Sequence, residues 1–587
     1  MTINKFIHIL FFFVFISSQV KSNQIENSIS LNYNNIFNKK ILSETDISKY
    51  QQIYTLQKTC KWKQANKIIL TLEKDILMGH ILSQRYLHPK CYRSQFIELT
   101  HWLKKYNDHP QAKRIYRLAV RRMPEGYKSP KKPIKAIGLE INQKEIQRKS
   151  TKYKSKMQLS KNQRKEKNKL LIGIKARVNK GWPTGALKLL NQKYVKDLLD
   201  NVEIDQQKEL IAKGYFLANK NDLAIKYAQQ AIKRSPDHVS FANWTAGLSA
   251  YRLKDYKLAA NFFETFSDSQ ENDIWHRSSG AFWAARSYEQ LKEYDKINKW
   301  LNIAAKNPKT FYGQLAINIM GVNGNITWNK IDRNLDSEKI FLKYPAGERI
   351  LALIQVGIIS EVEREILKLN ASINQEMALA SLDIASKFNF AYTQLKIANK
   401  LESLGYEVPI NYFYPKPAWM PKSGYKVDKA LIYAFIHQES GFNHKAKSRK
   451  GAIGLMQIMP STARYISKNK SISKNNSSIL LDPHTNIEIG QDYIEYLLNL
   501  DIVANNTVYM AASYNAGPGN LKKWLKEINH QDDTLLFMES IPSRETRWFM
   551  EKILTNYWIY KNQFNETPLS LTELAKGMAP IYIKRKD

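Results

Sequence analysis

The chain has 587 residues, more than one hydrophobic core ordinarily serves, so several domains are expected. With 43% hydrophobic and 11% aromatic residues but only 23 Gly and 19 Pro, it can bury large cores and is neither fibrous nor loop-rich. A formal charge of +37 attracts polyanions of any kind but selects none, because a Lys-rich composition decorates every surface alike.

Residues 1–22 read as a secretory signal peptide: Lys5, then a mostly apolar run from Phe6 to Ile16, then small and polar residues ending in Val20-Lys21-Ser22. The run is short for a permanent span, and no later segment has the apolar length of one. The expected product is an exported, periplasmic protein, soluble or peripherally associated with wall or membrane, and not integral to the membrane once the signal is cut. An uncleaved anchor is the alternative. Cys60 and Cys91 are the only cysteines, and in an exported chain they suggest one disulfide, two buried thiols being the other reading. No Cys/His cluster has metal-ligand spacing, so neither metal nor cofactor is expected.

Residues 23–125 form an N-terminal helical region, with apolar residues three and four apart in stretches such as Phe96 to Leu103. Residues 126–169 are crowded with Lys, Gln, Ser and Arg and read as a basic linker or insertion that cannot bury enough apolar surface to fold. Nearly lacking stacking aromatics, they do not suggest a nucleic-acid arm. From 170 to 418 the pattern becomes repetitive. Gly214 and Asp222 recur as Gly247 and Asp255, and Leu253-Lys254-Asp255-Tyr256 returns as Leu291-Lys292-Glu293-Tyr294. Such periods match stacked helical hairpins similar to tetratricopeptide repeats, here expected to build a superhelical region. The proline-rich stretch Tyr412–Tyr425 marks a boundary, and residues 419–587 form a compact helical block. The fold class is therefore all-α.

That block opens with a helix whose apolar face includes Val427, Leu431, Ala434 and Phe435 and which Gly441 can stop in a left-handed conformation. Glu439 falls in its last turn. There the helix dipole disfavours a carboxylate, and apolar neighbours add desolvation, both raising its pKa as a proton donor requires.

Around it stand Glu439-Ser440-Gly441-Phe442-Asn443, Ser448, Gly451-Ala452-Ile453-Gly454-Leu455-Met456-Gln457-Ile458-Met459-Pro460, Ala511-Ala512-Ser513-Tyr514-Asn515-Ala516-Gly517-Pro518-Gly519, and Glu539-Ser540-Ile541-Pro542 with Glu545-Thr546-Arg547. At these motifs the sequence closely resembles the soluble lytic murein transglycosylases, whose catalytic domain is similar to goose-type lysozyme. The resemblance implies that Glu439 is the catalytic acid/base. It implies that Ser448 orients that carboxyl or bonds substrate, and that Met456 and Gln457 line the groove. By the same resemblance Tyr514 and Asn515 face the reacting sugar, and Glu539 is a substrate-contacting carboxylate.

The implied reaction cuts the β-1,4 bond between N-acetylmuramic acid and N-acetylglucosamine in peptidoglycan glycan strands, without water, leaving 1,6-anhydro ends. Ordinary glycosidases use two catalytic carboxylates, and here the resemblance supplies one. A hydrolytic muramidase using the same Glu439, and a non-catalytic glycan-binding scaffold, are the competing readings. Cell-wall synthesis proteins are candidate partners of the repeats. Nucleic acid is not an expected partner, since no base-reading module is recognised.

Overall fold

A computed structural model describes residues 39–134, 153–321, 326, 328, 336–369 and 375–584. The expected signal peptide lies outside them. The described residues divide into two compact units, one drawn from Met1–Ile146 and Asn329–Pro417, the other from Gln147–Trp328 and Ala418–Asp587. The helical stretch expected over 170–418 is thus shared: its first part belongs with the C-terminal block and its second with the N-terminal helices.

In chain order the first unit begins with α1 (Glu44–Lys58), α2 (Trp62–Ile69), α3 (Met78–Tyr86), α4 (Phe96–Lys105) and α5 (Ala112–Arg121). The second begins with α6 (Lys161–Asn179), α7 (Pro183–Leu190), α8 (Asn201–Leu217), α9 (Asn221–Arg234), α10 (Ser240–Arg252), α11 (Tyr256–Asp268), α12 (Ile274–Leu291), α13 (Tyr294–Ala305) and α14 (Phe311–Ile319). The chain returns to the first unit with α15 (Ser337–Phe341), α16 (Pro345–Val356), α17 (Ile359–Leu369), α18 (Gln375–Lys387) and α19 (Ala391–Ser403). It ends in the second with α20 (Lys429–Ser440), α21 (Pro460–Ser467), α22 (Pro483–Leu498), α23 (Thr507–Ala516), α24 (Pro518–Glu527), α25 (Thr534–Ser540), α26 (Arg544–Gln563) and α27 (Leu569–Ala575). Among the described residues only isolated β-bridges interrupt the helices, and no helix is long and apolar enough to cross a membrane. The all-α expectation holds.

In the first unit, the stripe Phe96, Leu99, Trp102 and Leu103 of α4 packs on Ala112, Ile115 and Ala119 of α5. The two cysteines, 31 residues apart, are joined as a disulfide. Closing a loop of that length restricts the unfolded chain, so Cys60→Ser is expected to cost about 3 kcal/mol of stability. Chemical denaturation with and without a reductant checks this: reduced wild type and oxidised variant should unfold together.

The basic segment 126–169 is not a linker throughout. Helix α6 starts at Lys161, because Ser160 and Gln163 close a capping box. Lys, Arg and Gln are good helix formers, and Leu170, Ile174 and Val178 supply a narrow buried stripe. Lys167, from the middle of the charge run, forms an ion pair with Glu203 of α8.

The repeats from α8 to α13 pack each helix mainly on the next. Their sequence period has a backbone cause. Asn219, Lys254 and Lys292 occupy the turn between paired helices with φ of 56°, 62° and 60°, so each hairpin reverses at a left-handed residue. In Leu253-Lys254-Asp255, the next residue then caps α11 by accepting from Leu258 N–H. Gly247 is needed because a Cβ there would press on Phe263.

Within the second unit, buried polar joints tie the repeats to the C-terminal block. Arg252 of α10 donates to Ser540 Oγ (2.7 Å), Arg286 of α12 pairs with Asp533 (2.8 Å), and the Tyr312 hydroxyl of α14 donates to Glu539 (2.5 Å).

Candidate active site

Helix α20 starts at Asp428, whose side chain accepts from Ala430 N–H, and runs through a fully buried stretch from Ala430 to Ile436. It packs against α26. Gly441 (φ 55°) ends it, and Phe442 (φ 68°) continues the left-handed path with its ring buried. This reversal leaves Glu439, in the last turn, half-buried.

Burial pushes the Glu439 carboxyl from its ordinary 4.5 up to about 8, and the negative charge of Glu545, at the start of α26, adds to the effect. The group is therefore held as a neutral acid near pH 7. The cause is desolvation plus a carboxylate neighbour, Glu545, to which the sequence reading gave no role.

Tyr514 stands close enough to Glu439 that the carboxylate's charge adds to burial in raising its phenol. Its ring lies 4.4 Å from Phe435 and 5.1 Å from Tyr493, and its hydroxyl donates to the Met456 carbonyl (2.8 Å). Asn515 Oδ1 accepts from the Thr546 hydroxyl (2.8 Å). The motif Glu545-Thr546-Arg547 thus divides its work: Glu545 acts on Glu439, Thr546 holds Asn515, and Arg547 donates to the Ile541 carbonyl. Its appearance among the sequence motifs was the available signal, but nothing in the sequence assigned the roles.

The Gly-Leu-Met-Gln turn is organised by Asn486 of α22. That buried amide accepts from Met456 N–H (2.8 Å) and donates to the carbonyls of Ile453 (3.0 Å) and Leu480 (2.9 Å). The expectation that Met456 lines a groove is corrected for its side chain, which is 0% exposed. It fills the space left by Gly490, where a Cβ would collide with its sulfur. What Met456 offers the site is its carbonyl, the anchor for Tyr514. Gln457 (φ 48°) spends its amide N–H groups on the carbonyls of Gly454 (2.9 Å) and Ala446 (3.3 Å). Ser448 is exposed, and its hydroxyl oxygen accepts from Ala452 N–H (2.9 Å). Among the described residues no hydrogen bond joins it to Glu439.

Glu539 is engaged by neighbouring side chains. Buried on α25, it accepts from Tyr312 and lies by Arg547. It lines a cavity of about 240 Å³ to which none of Glu439, Ser448, Met456, Gln457, Tyr514 or Asn515 contributes. A carboxylate already engaged by a buried phenol is a joint between repeats and block, which is why the motif position alone did not reveal its surroundings.

Residues 417–537 match the family model described as a transglycosylase SLT domain. The C-terminal block belongs to the SLT domain family. The chain is 32% identical over 313 residues to a protein described as a soluble lytic murein transglycosylase of Escherichia coli K12, covering 50% of this chain and 48% of that one. It is 29% identical over 300 residues to one of the same description from Salmonella typhimurium, covering 48% and 46%. The chain spans about half the length of the curated relatives it matches. A solved structure described as an inactive mutant of the lytic transglycosylase Slt from Pseudomonas aeruginosa aligns over 97% of this chain and 93% of that one, with a TM-score of 0.55 and 17% identity. That likeness establishes a shared fold beyond the SLT domain itself.

Proposed function

We propose that the chain is a lytic transglycosylase cutting the N-acetylmuramic acid–N-acetylglucosamine bond of peptidoglycan, with Glu439 as acid and then base. The observation that carries this reading is a half-buried carboxyl kept protonated near pH 7 beside Tyr514, in a domain of the SLT family. Glu439 gives its proton to the glycosidic oxygen as the bond from the muramic acid anomeric carbon breaks. The carboxylate so formed takes the proton of that sugar's own 6-hydroxyl, whose oxygen closes on the anomeric carbon. No water enters. A nucleophile tethered to the substrate needs little positioning, which suits a site with one catalytic carboxylate. Asn515, held by Thr546, supplies amide N–H groups to the N-acetyl and hydroxyl groups of the glycan, and Ser448 and Gln457 shape the loop that meets it. Export, read from residues 1–22, would bring the enzyme to the wall.

Digestion of purified sacculi followed by mass spectrometry tests the reaction. Products one water lighter than hydrolytic muropeptides support it, and products at the hydrolytic mass would replace it with the muramidase reading.

The protonated form is the active one for the first step, so cleavage is expected to decline as pH rises through about 8. Glu545→Gln removes a neighbouring negative charge, stabilising the Glu439 carboxylate and moving that alkaline limb to lower pH by about half a unit. Activity at the optimum should stay within about threefold. Complete loss would instead make Glu545 a second catalytic carboxylate of the kind hydrolases use.

A further inference from the structure

In the first unit, α1, α3, α5 and α17 converge on a cavity of about 540 Å³, a volume within the range of about 300–1,000 Å³ typical of small-molecule sites. Its buried end carries the Tyr54 hydroxyl, which has no hydrogen-bond partner among the described residues, and the pair His80 Nδ1 and Glu361 Oε2, which face each other at 3.6 Å. Tyr54 and His80 are 5% and 1% exposed. A buried polar atom left unpaired costs about 1–3 kcal/mol, and the 3.6 Å contact between His80 and Glu361 is longer than a hydrogen bond, so a hydroxyl-bearing occupant would satisfy all three groups.

A metal ion does not fit that role. The ligand set nearest this end is His80, His109 and Glu365. His109 Nδ1 accepts from Gln111 N–H (3.1 Å), so its proton sits on Nε2, the atom that would have to bind the ion. Glu365 already accepts from His80 (2.9 Å) and Arg349 (2.8 Å).

Charge defines the occupant. At the buried end the basic side chains His80, Arg349 and Arg364 are paired with Glu361, Glu365 and Asp108. Burial opposes the charge on His80, but Glu361 and Glu365 together raise its pKa. This end is balanced and offers both donors and acceptors, which suits hydroxyl groups. An ammonium would meet the neighbouring cations, and an alkyl chain would leave the polar atoms unpaired. At the open end Lys58 and Arg114 are exposed, and neither has a carboxylate partner among the described residues. Between the two ends Leu87, Ile358 and Phe388 give apolar walls of the sort that pack on the C–H faces of a pyranose.

We propose that this cavity binds a sugar bearing one acidic substituent, its hydroxyls on Tyr54, His80 and Glu361 and its anion on Lys58 and Arg114. The site uses none of the residues assigned to cleavage, so its test is independent of the lytic reading.

Hydrogen exchange by mass spectrometry on full-length Glu439→Gln protein provides that test, with N-acetylmuramic acid, glucose 6-phosphate and neutral N-acetylglucosamine as separate probes. Slowed exchange over residues 80–87 and 357–364 with either acidic sugar, and not with the neutral one, is the expected result, and the two acids distinguish carboxylate from phosphate. Adding Lys58→Glu and Arg114→Glu, both at exposed positions, should weaken that protection at least tenfold in probe concentration while the melting curve stays unchanged. No protection by either acid, equal protection by the neutral sugar, or an unaltered response in the charge-reversed protein would overturn the proposal.

Discussion

Replacing Glu439 by Gln is expected to lower the release of soluble muropeptides from sacculi by about 10⁴-fold, the upper end of what one positioned acid/base contributes, because here a single group serves both proton transfers. Glutamine keeps the volume and can still hydrogen-bond, so binding of undigested glycan should survive, and co-sedimentation with sacculi measures it. Cleavage within tenfold of wild type would remove Glu439 from the mechanism. The same change carries a stability signature. The folded carboxyl titrates near 8 and the unfolded one near 4.5. A carboxyl raised in the folded state contributes stability that is fully present below the unfolded value and lost as pH climbs through the folded one. Glutamine has no such loss, so the variant should be more stable than wild type at pH 8 by about 1–3 kcal/mol and equal to it at pH 4. Thermal melts at the two pH values would detect this, and equal melting at pH 8 would mean that Glu439 ionises freely.

Asn486→Leu is expected to be the most damaging change away from the catalytic group. Leucine is close to asparagine in size but leaves Met456 N–H and the Leu480 carbonyl without the amide that pairs them, and takes from the Ile453 carbonyl one of its two donors, the other being Ile458 N–H. At about 1–3 kcal/mol for each of the two unpaired groups, a loss of about 2–6 kcal/mol follows. Because Tyr514 is anchored on the Met456 carbonyl, lytic activity should decline even at temperatures where the variant stays folded. Denaturant titration and sacculus digestion at low temperature separate the two effects. A variant that unfolds like wild type would show that the turn does not depend on this amide.

Much of the fold was legible in the sequence because helical periodicity and turn chemistry are local. The Leu-Lys-Asp/Glu-Tyr recurrence announced the repeats, and the structure supplies the reason in the left-handed Lys254 and Lys292. Composition misled at residues 161–169, where a short apolar stripe and a capping box outweigh a run of charge. In the site, Glu439 was readable from its place just before Gly441. The roles of its companions were not, because they depend on partners far away in sequence. Met456 is buried since Gly490, 34 positions later, makes room for it, and Glu539 meets Tyr312 from a different helical layer. Glu545 acts through charge across space, which no spacing rule encodes.

The joints Arg252–Ser540, Arg286–Asp533 and Tyr312–Glu539 bear on how such proteins are inherited and engineered. Each places half of a buried or partly buried polar pair on the repeats and half on the C-terminal block, so excising residues 418–587 would strip Ser540, Asp533 and Glu539 of their counterparts at one stroke. The C-terminal block is therefore not a portable cartridge. Transplanting it onto another scaffold calls for resurfacing these three positions, or for carrying α10 to α14 along as a chaperoning collar.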